Sequence, residues 1–439
     1  MQQDFRKKLM ALAIASALGS ASGLASAAGF ALIEQNASGL GNAYAGGAAI
    51  AEDASTIFFN PAGLSRISGK QLVVSGEAIG LSVKFQNQGS TAGGGAPVTG
   101  GNGGDAGGWA VVPNLYFATD IAPQWKFGVG VNAPFGLKTD YDAGWAGRYQ
   151  ALETKVETLN INPSVAYQVN DQVSVGGGVS AMYIKGNLSK AIDFGLIGFV
   201  NGIPGSIPQN QDGAVKFDGS AWEYGYNFGA LFQVTPDTRV GVAYRSKIKQ
   251  ELSGGRASFS GVPGPLAASP LFSTTGAKAT ITLPETASLS AFTQIDSKWA
   301  VMGDVTWTKW SRFNELRLQF DNGAPDNVTT ENWKDTYRVS AGVSYQYSDS
   351  WKLRGGIAYD KSPVEDQYRT ARIPDNDRKW VALGASYKVS GAGVVDFGYA
   401  HLFISDASIN HAEPPFGGTL TGKFSGSVDI LGIQYTHNF

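Results

Sequence analysis

The chain has 439 residues, no cysteine and a formal net charge of −2. That excludes a disulfide framework, a thiol nucleophile and a thiolate metal site, and offers no basic surface for nucleic acid. Glycine is abundant at 58 residues and aromatic residues make up 11% of the chain.

Residues 1–27 read as an export signal. Arg6, Lys7 and Lys8 form a charged start, Leu9 to Leu18 a short apolar core, and Ala25-Ser26-Ala27 a small-residue cleavage site. The apolar run is too short to cross ~30 Å of hydrocarbon as a helix. The mature chain is expected to begin at Ala28. No later stretch approaches the ~20 continuous apolar residues of a spanning helix.

Residues 28–69 do not alternate. They are rich in small residues, have short helical possibilities and contain many breakers. The segment is too apolar for a solvated linker, and a compact plug inside the remaining chain is the expectation. Gly39 and Gly41 match the first two glycines of a dinucleotide loop, but Tyr44 stands where the third belongs and no strand precedes them.

From Lys70 to Phe439 the signal is strict alternation. Tyr337, Val339, Ala341, Val343, Tyr345 and Tyr347 share one face, with Arg338, Ser340, Gly342, Ser344, Gln346 and Ser348 opposite. Trp222–Thr235 and Leu159–Val169 repeat the pattern. Period two makes strands with one greasy and one polar face. A soluble sandwich alternates too, so three further features decide. The strands run to roughly ten residues or more, enough for a tilted bilayer span. Tight turns take turns with long connections near 87–108, 135–151, 188–218, 254–275, 321–331, 361–378 and 406–421. Trp125, Trp299 and Trp351 each follow a tight turn, as in an interfacial girdle. The expectation is an all-β, transmembrane antiparallel barrel of about 14 strands in the bacterial outer membrane, with short periplasmic turns and long outer loops.

Within the third strand, Asn132, Pro134, Phe135 and Gly136 interrupt the pattern. Pro134 cannot donate to a ladder, so it either breaks the wall or ends the strand near the outer surface. The connection at 188–218 carries Phe194, Leu196, Ile197, Phe199, Val200, Ile203 and Ile207. The one at 254–275 carries Phe259, Val262, Leu266, Leu271 and Phe272. Apolar residues this dense in loops either capture an apolar ligand or pack on each other over the barrel mouth. Lys190, at the base of the first connection, either meets a ligand or is solvated. His401, His411 and His437 show no metal-ligand spacing, and no cofactor is expected.

The chain resembles the FadL family of outer-membrane long-chain fatty acid transporters. The resemblance rests on Gly29-Phe30, Ser38-Gly39-Leu40-Gly41 with Ala43-Tyr44, Asp53-Ala54 and, above all, Asn60-Pro61-Ala62, the family's plug motif. Val112-Pro113-Asn114, Tyr244-Arg245-Ser246, Leu283-Pro284-Glu285, Trp307 to Trp310 and Pro374-Asp375 with Arg378 extend it across the mature chain. It implies three parts: a cleaved signal over 1–27, a plug over 28–69 and a barrel over 70–439. It implies capture of a long-chain fatty acid, movement of the plug, and lateral exit past the Asn132–Gly136 stretch. It places Lys190 where the family keeps a basic residue for the ligand carboxylate; a second basic position does not carry over, its neighbourhood holding Thr329, Thr330 and Lys334. A terminal Phe439 resembles the assembly signal of outer-membrane proteins. Partners expected on this basis are the apolar substrate, outer-membrane lipid and lipopolysaccharide, and the assembly machinery, with the protein acting as a monomer. Alternatives are a channel for aromatic or other hydrocarbons, a general porin, and an outer-membrane hydrolase.

Overall fold

The computed structural model describes residues 28–439; the expected export signal lies outside the described residues. Among these residues, twenty strand segments join into one antiparallel sheet. β1 (Lys70–Asn87) and β2 (Gly108–Ala122) precede a split span, β3 (Trp125–Asn132) and β4 (Gly136–Asp140). β5 (Glu153–Gln168), β6 (Val173–Asp193) and β7 (Asp212–Gln233) follow. Two more split spans are β8 (Thr238–Arg245) with β9 (Ile248–Ser260), and β10 (Thr275–Leu283) with β11 (Thr286–Gln294). β12 (Trp299–Thr308) continues as β13 (Glu315–Phe320), and β14 (Asn327–Thr330) returns into β15 (Thr336–Gln346). β16 (Trp351–Asp360), β17 (Arg378–Lys388), β18 (Gly393–Ile404) with β19 (Ala407–Glu413), and β20 (Gly418–Asn438) complete the wall. Split segments counted together, the wall has 14 spans. β20 pairs with β1 from Gln71↔Asn438 to Asn87↔Gly422 and closes the cylinder. Closure is required because lipid offers no partner for a free strand edge.

The lipid-facing band is marked by its aromatic borders. At the turn end, Trp125 packs on Tyr167 (ring centroids 4.7 Å), Trp299 on Tyr345 (4.4 Å) and Trp351 on Tyr387 (4.7 Å). At the other border Tyr183 meets Trp222 at 5.4 Å. Roughly ten tilted strand residues lie between the two levels, which makes a band ~25 Å tall.

The wall runs further out than alternation suggests. The sequence predicts a connection at 188–218, yet β6 and β7 stay paired from Val173↔Phe232 to Asp193↔Asp212, leaving only 194–211. The connection at 254–275 likewise shrinks to 261–274, 135–151 holds β4, 321–331 holds β14, and 406–421 holds β19. Above the upper girdle the outward face meets water or headgroups and no longer needs apolar residues. There the pattern inverts: Ile184, Leu188, Phe217 and Leu252 pack inward as an apolar cluster, so a search for greasy outward faces stops too early.

The N-terminal segment fills the lumen. It contains α1 (Ala37–Leu40), α2 (Gly47–Ile50), α3 (Thr56–Phe59) and a 3-10 turn, Pro61–Arg66. Asn60 holds the segment together and to the wall. Its Oδ1 accepts from the Ala62 N–H at 3.0 Å, while its Nδ2 donates to the carbonyls of Ala48 (2.7 Å) and Ala230 (3.0 Å). Pro61 occupies the first helical position, where a missing N–H costs nothing. Inward-facing glycines make room: a Cβ at Gly229, Gly241 or Gly356 would overlap Asn60, Ala48 or Asn42. Toward the turn end, Glu52 is bound by Lys352 and by Arg354 (3.0 Å), and Arg354 also reaches Asp396 at 2.9 Å.

Candidate functional site

Three spaces lie in series from the outer end inward. The first is an open groove of about 1230 Å³, bordered by Lys190, Ile197, Leu271, Phe272, Phe320 and Arg372. The second is a small apolar chamber of about 50 Å³ that shares Leu188, Phe217 and Arg372 with the groove and ends on Phe30. The third, about 130 Å³, lies between the plug and the wall and touches Ala28, Ala31, Pro134, Phe135, Trp310 and Arg338. Ligand pockets usually measure ~300–1,000 Å³. The groove can therefore hold an extended molecule as it stands, and the two inner spaces can do so only after something moves.

The separator is Phe30. Its ring lies 4.9 Å from Trp310, 5.8 Å from Trp333, and 5.9 Å from each of Phe135 and Phe313. The backbone around it is tied down lightly. The Gly29 N–H donates to Asp375 at 2.8 Å and the Ala28 N–H to Asp360 at 3.4 Å. Ala31 forms an isolated bridge with Phe135, flanked by Leu32 N–H to Pro134 O (2.8 Å) and Gly136 N–H to Phe30 O (2.9 Å).

That bridge shows what Pro134 does. It does not end the strand, because the wall resumes as β4. Instead residues 133–135 turn inward to the plug. β3 pairs with β2 only up to Leu115↔Val131, and β4 pairs with β5 alone. The Gly108–Asn114 part of β2 therefore has β1 on one side and no strand on the other. Pro113 sits in this edge stretch, where a missing N–H is tolerated. The opening is bounded above by the Asp140 N–H to Ala106 O bond at 3.0 Å and is roughly 20 Å long by strand rise.

The apolar residues predicted at the mouth divide into three groups. Phe194 and Leu196 are buried supports in α4 (Phe194–Val200), whose N-terminus is capped by Asp193 accepting from the Leu196 N–H at 2.7 Å. Phe194 stacks edge-on against Phe272 at 5.0 Å. Ile197, Leu266, Leu271 and Phe272 border the groove. Phe199 and Val200 are 64% and 59% exposed and turn away from it. Packing and groove lining thus coexist in one short helix, which the sequence reading placed in a loop without helical structure.

Lys190 is part of β6, beyond which the sheet continues, and its ammonium pairs with Glu413 at 2.7 Å. Arg338, in the innermost space, makes no ion pair among the described residues, and neither does Arg372, where the groove meets the chamber. Arg372 is buried and donates to Thr154 Oγ1 at 3.1 Å and to the carbonyls of Ser189 and Glu153 at 3.4 and 3.5 Å. Burial lowers its pKa from the ordinary arginine value. Glu331 borders the apolar chamber beside it and accepts from Trp333 Nε1 at 2.9 Å; burial pushes its carboxyl up to about 8. Sequence reasoning missed both. Arg372 sits inside a long connection with no periodic context, although the neighbouring Pro374-Asp375 and Arg378 are among the family matches.

A plugged lumen, a lateral break and an apolar path bordered by buried arginines define an outer-membrane transport barrel for apolar compounds. The profile of the family described as outer membrane protein transport protein (OMPP1/FadL/TodX) matches residues 18–439. The chain belongs to that family and to the outer membrane. It is 32% identical to a protein of Shigella flexneri named long-chain fatty acid transport protein, over 98% of each chain. The crystal structure of a Pseudomonas aeruginosa FadL homologue superimposes with a TM-score of 0.86 at 26% identity, covering 94% of this chain and all of that one. The toluene transporter TbuX of Ralstonia pickettii shares the fold at a TM-score of 0.65 and 20% identity, over 93% of this chain and all of that one.

Proposed function

We propose that the protein takes up long-chain fatty acids across the outer membrane. The observation that carries this reading is Arg372, a buried guanidinium that makes no ion pair among the described residues, where the outer groove narrows to an apolar chamber. An uncompensated charge in such a place is costly. A carboxylate whose alkyl tail fills the chamber supplies the missing partner, and each methylene buried adds ~0.8 kcal/mol. The path runs in four steps. Ile197, Leu266, Leu271 and Phe272 capture the chain at the mouth, beside Lys190. The head reaches Arg372. The segment around Phe30 shifts. The substrate leaves between β2 and β4 into the membrane. In this reading 1–27 are a removed leader, 28–69 the plug and 70–439 the barrel, working as a monomer that presents Phe439 to the assembly machinery. The chemistry is binding and passage without catalysis: His401 is engaged by Asp429 at 2.8 Å, and His437 stacks on Tyr435.

An aromatic hydrocarbon has no use for Arg372, which separates the two substrate classes. Oleate, methyl oleate and toluene are titrated into purified protein and into Arg372→Gln. Oleate is expected to bind the variant about tenfold or more weakly, as for loss of a charge-assisted hydrogen bond, with methyl oleate unchanged. Lys190→Gln should cost less, because Lys190 already has Glu413. Equal oleate affinity in Arg372→Gln, or tighter binding of toluene than of oleate, sinks the proposal.

A further inference from the structure

The lateral opening leaves backbone amides without partners. Along an antiparallel strand the N–H and C=O of one residue point to the same neighbour, and successive residues alternate. On the β2 side the Ala106 N–H donates to Val83 and the Asp120 N–H to Gly69, so even-numbered residues address β1. Odd-numbered residues address β3 as far as Leu115, which stands opposite Val131. Beyond it Pro113 has no N–H, and the amides of Val111 and Trp109 aim into the opening with no partner among the described residues. The β4 side repeats this. The Tyr141 N–H donates to Leu152 on the β5 side, whereas the Gly136 N–H donates to Phe30 and the Asp140 N–H to Ala106, away from β5. The Lys138 amide, between Gly136 and Asp140, aims the same way and is also without a partner among the described residues.

The side chains at this rim add one charge. Leu137 packs inward in the cluster of Phe30, and Thr139 donates inward to the Arg372 carbonyl at 3.2 Å. Lys138, between them, therefore points outward. It is half-buried and makes no ion pair among the described residues. The carboxylates around it are taken or stand further out. Glu157 is held by Lys155 at 2.8 Å. Asp105 accepts from Ser82 and from the Val83 N–H, both at 2.7 Å, and from the Gly107 N–H at 3.1 Å. Asp140 and Glu153 face each other two residues nearer the outer end. The opening straddles the border of the hydrocarbon: Val131 at its lower corner is level with Ile161, Lys138 is level with Lys155, and the girdle's Tyr183 is level with Leu159 between them. An unpaired amide at membrane depth is tolerated only where it lines a hydrated gap. N–H groups and an ammonium together are the donors that an anionic carboxylate takes.

We propose that the rim of the lateral opening binds the substrate's carboxylate as it leaves, through the Val111 and Trp109 amides of β2 and the Lys138 ammonium of β4. This rests on the fatty acid reading above and adds a second station to it. The head passes from Arg372 inside to the rim outside, while the tail enters the hydrocarbon past the lower corner. An ionised head thereby crosses the wall without losing all its partners at once, which would be costly. An uncharged ester gains little from the same donors.

The test measures uptake of labelled oleate and of labelled methyl oleate by cells whose outer membrane carries equal amounts of wild-type protein or a variant. Oleate binding to the purified proteins in detergent is measured separately. Lys138→Gln removes the charge. Val111→Pro removes one amide where no ladder bond is lost, as proline at an edge allows, and Val111→Ala controls for the side chain. Lys138→Gln and Val111→Pro should each slow oleate uptake about tenfold, as for a lost charge-assisted hydrogen bond. Lys138→Arg and Val111→Ala should match the wild type. Methyl oleate uptake and oleate affinity in detergent should be unchanged throughout. Lys138→Gln alone decides if Val111→Pro does not assemble. Wild-type oleate uptake in Lys138→Gln overturns the proposal. So does an equal slowing of methyl oleate, which would make the shape of the opening decisive and not its donors. Wild-type protein that passes methyl oleate but not oleate sinks the fatty acid reading itself, and this one with it.

Discussion

The two ends of the plug are held by different kinds of contact. The body, residues 37–67, is jammed against the wall: its backbone lies where Cβ atoms would stand at Gly229, Gly241 and Gly356, and Asn60 and Glu52 bond directly to the barrel. The leading segment, residues 28–35, is held by the buried Phe30 ring among four aromatic rings, by an isolated bridge and by hydrogen bonds, and lies between two small spaces. Tight close approach without side chains leaves a body no alternative position. A segment lying between two unfilled volumes has space to shift into once its contacts part. In the proposed uptake, the first few residues are therefore the part that shifts, with the body of the plug left in place.

The strongest way to break this contrast is to fasten the leading segment. Ala31 and Phe135 face each other at a bridge flanked by hydrogen bonds, a geometry suited to a disulfide, and the chain has no cysteine of its own. Oxidised Ala31→Cys/Phe135→Cys should take up almost no labelled oleate, and reductant should restore it in the same preparation. Uptake that ignores the redox state would place the moving part elsewhere.

A second change attacks the body. Gly356→Leu puts a side chain where Asn42 lies. It should destabilise the folded barrel by about 3 kcal/mol, the upper range for overpacking, or displace the plug and raise ion conductance in a planar bilayer. Wild-type stability together with wild-type conductance would show that the body is not jammed.

The smallest effect sharpens the picture of the chamber. Glu331 is raised to about 8 by burial, so it is neutral at pH 7 and ionises above 8. Its new charge then competes for Arg372. Oleate affinity should fall severalfold between pH 7 and pH 9, and Glu331→Gln should flatten that dependence. The stability sign follows the same shift. A carboxyl raised from 4.5 costs folding free energy increasingly as pH rises past 4.5, and fully above 8. A flat wild-type profile would remove Glu331 from the carboxylate's surroundings.

The sequence by itself determined the class, the alternating wall, the lumenal plug and an interruption of the third strand at Pro134. These are written in short-range terms: period two against lipid, tryptophan after each of three turns, a proline that cannot donate, and a motif, Asn60-Pro61-Ala62, whose side-chain bonds are mostly local. Only the tertiary structure decided how far the sheet extends beyond the membrane, where the rule of apolar-out reverses. It alone decided that Pro134 turns the chain inward, that Lys190 is neutralised by a residue 223 positions away, and that Arg372 stands unpaired at the throat. Whether a charge has a partner depends on which distant strands closure brings together, and no local window of sequence contains that information.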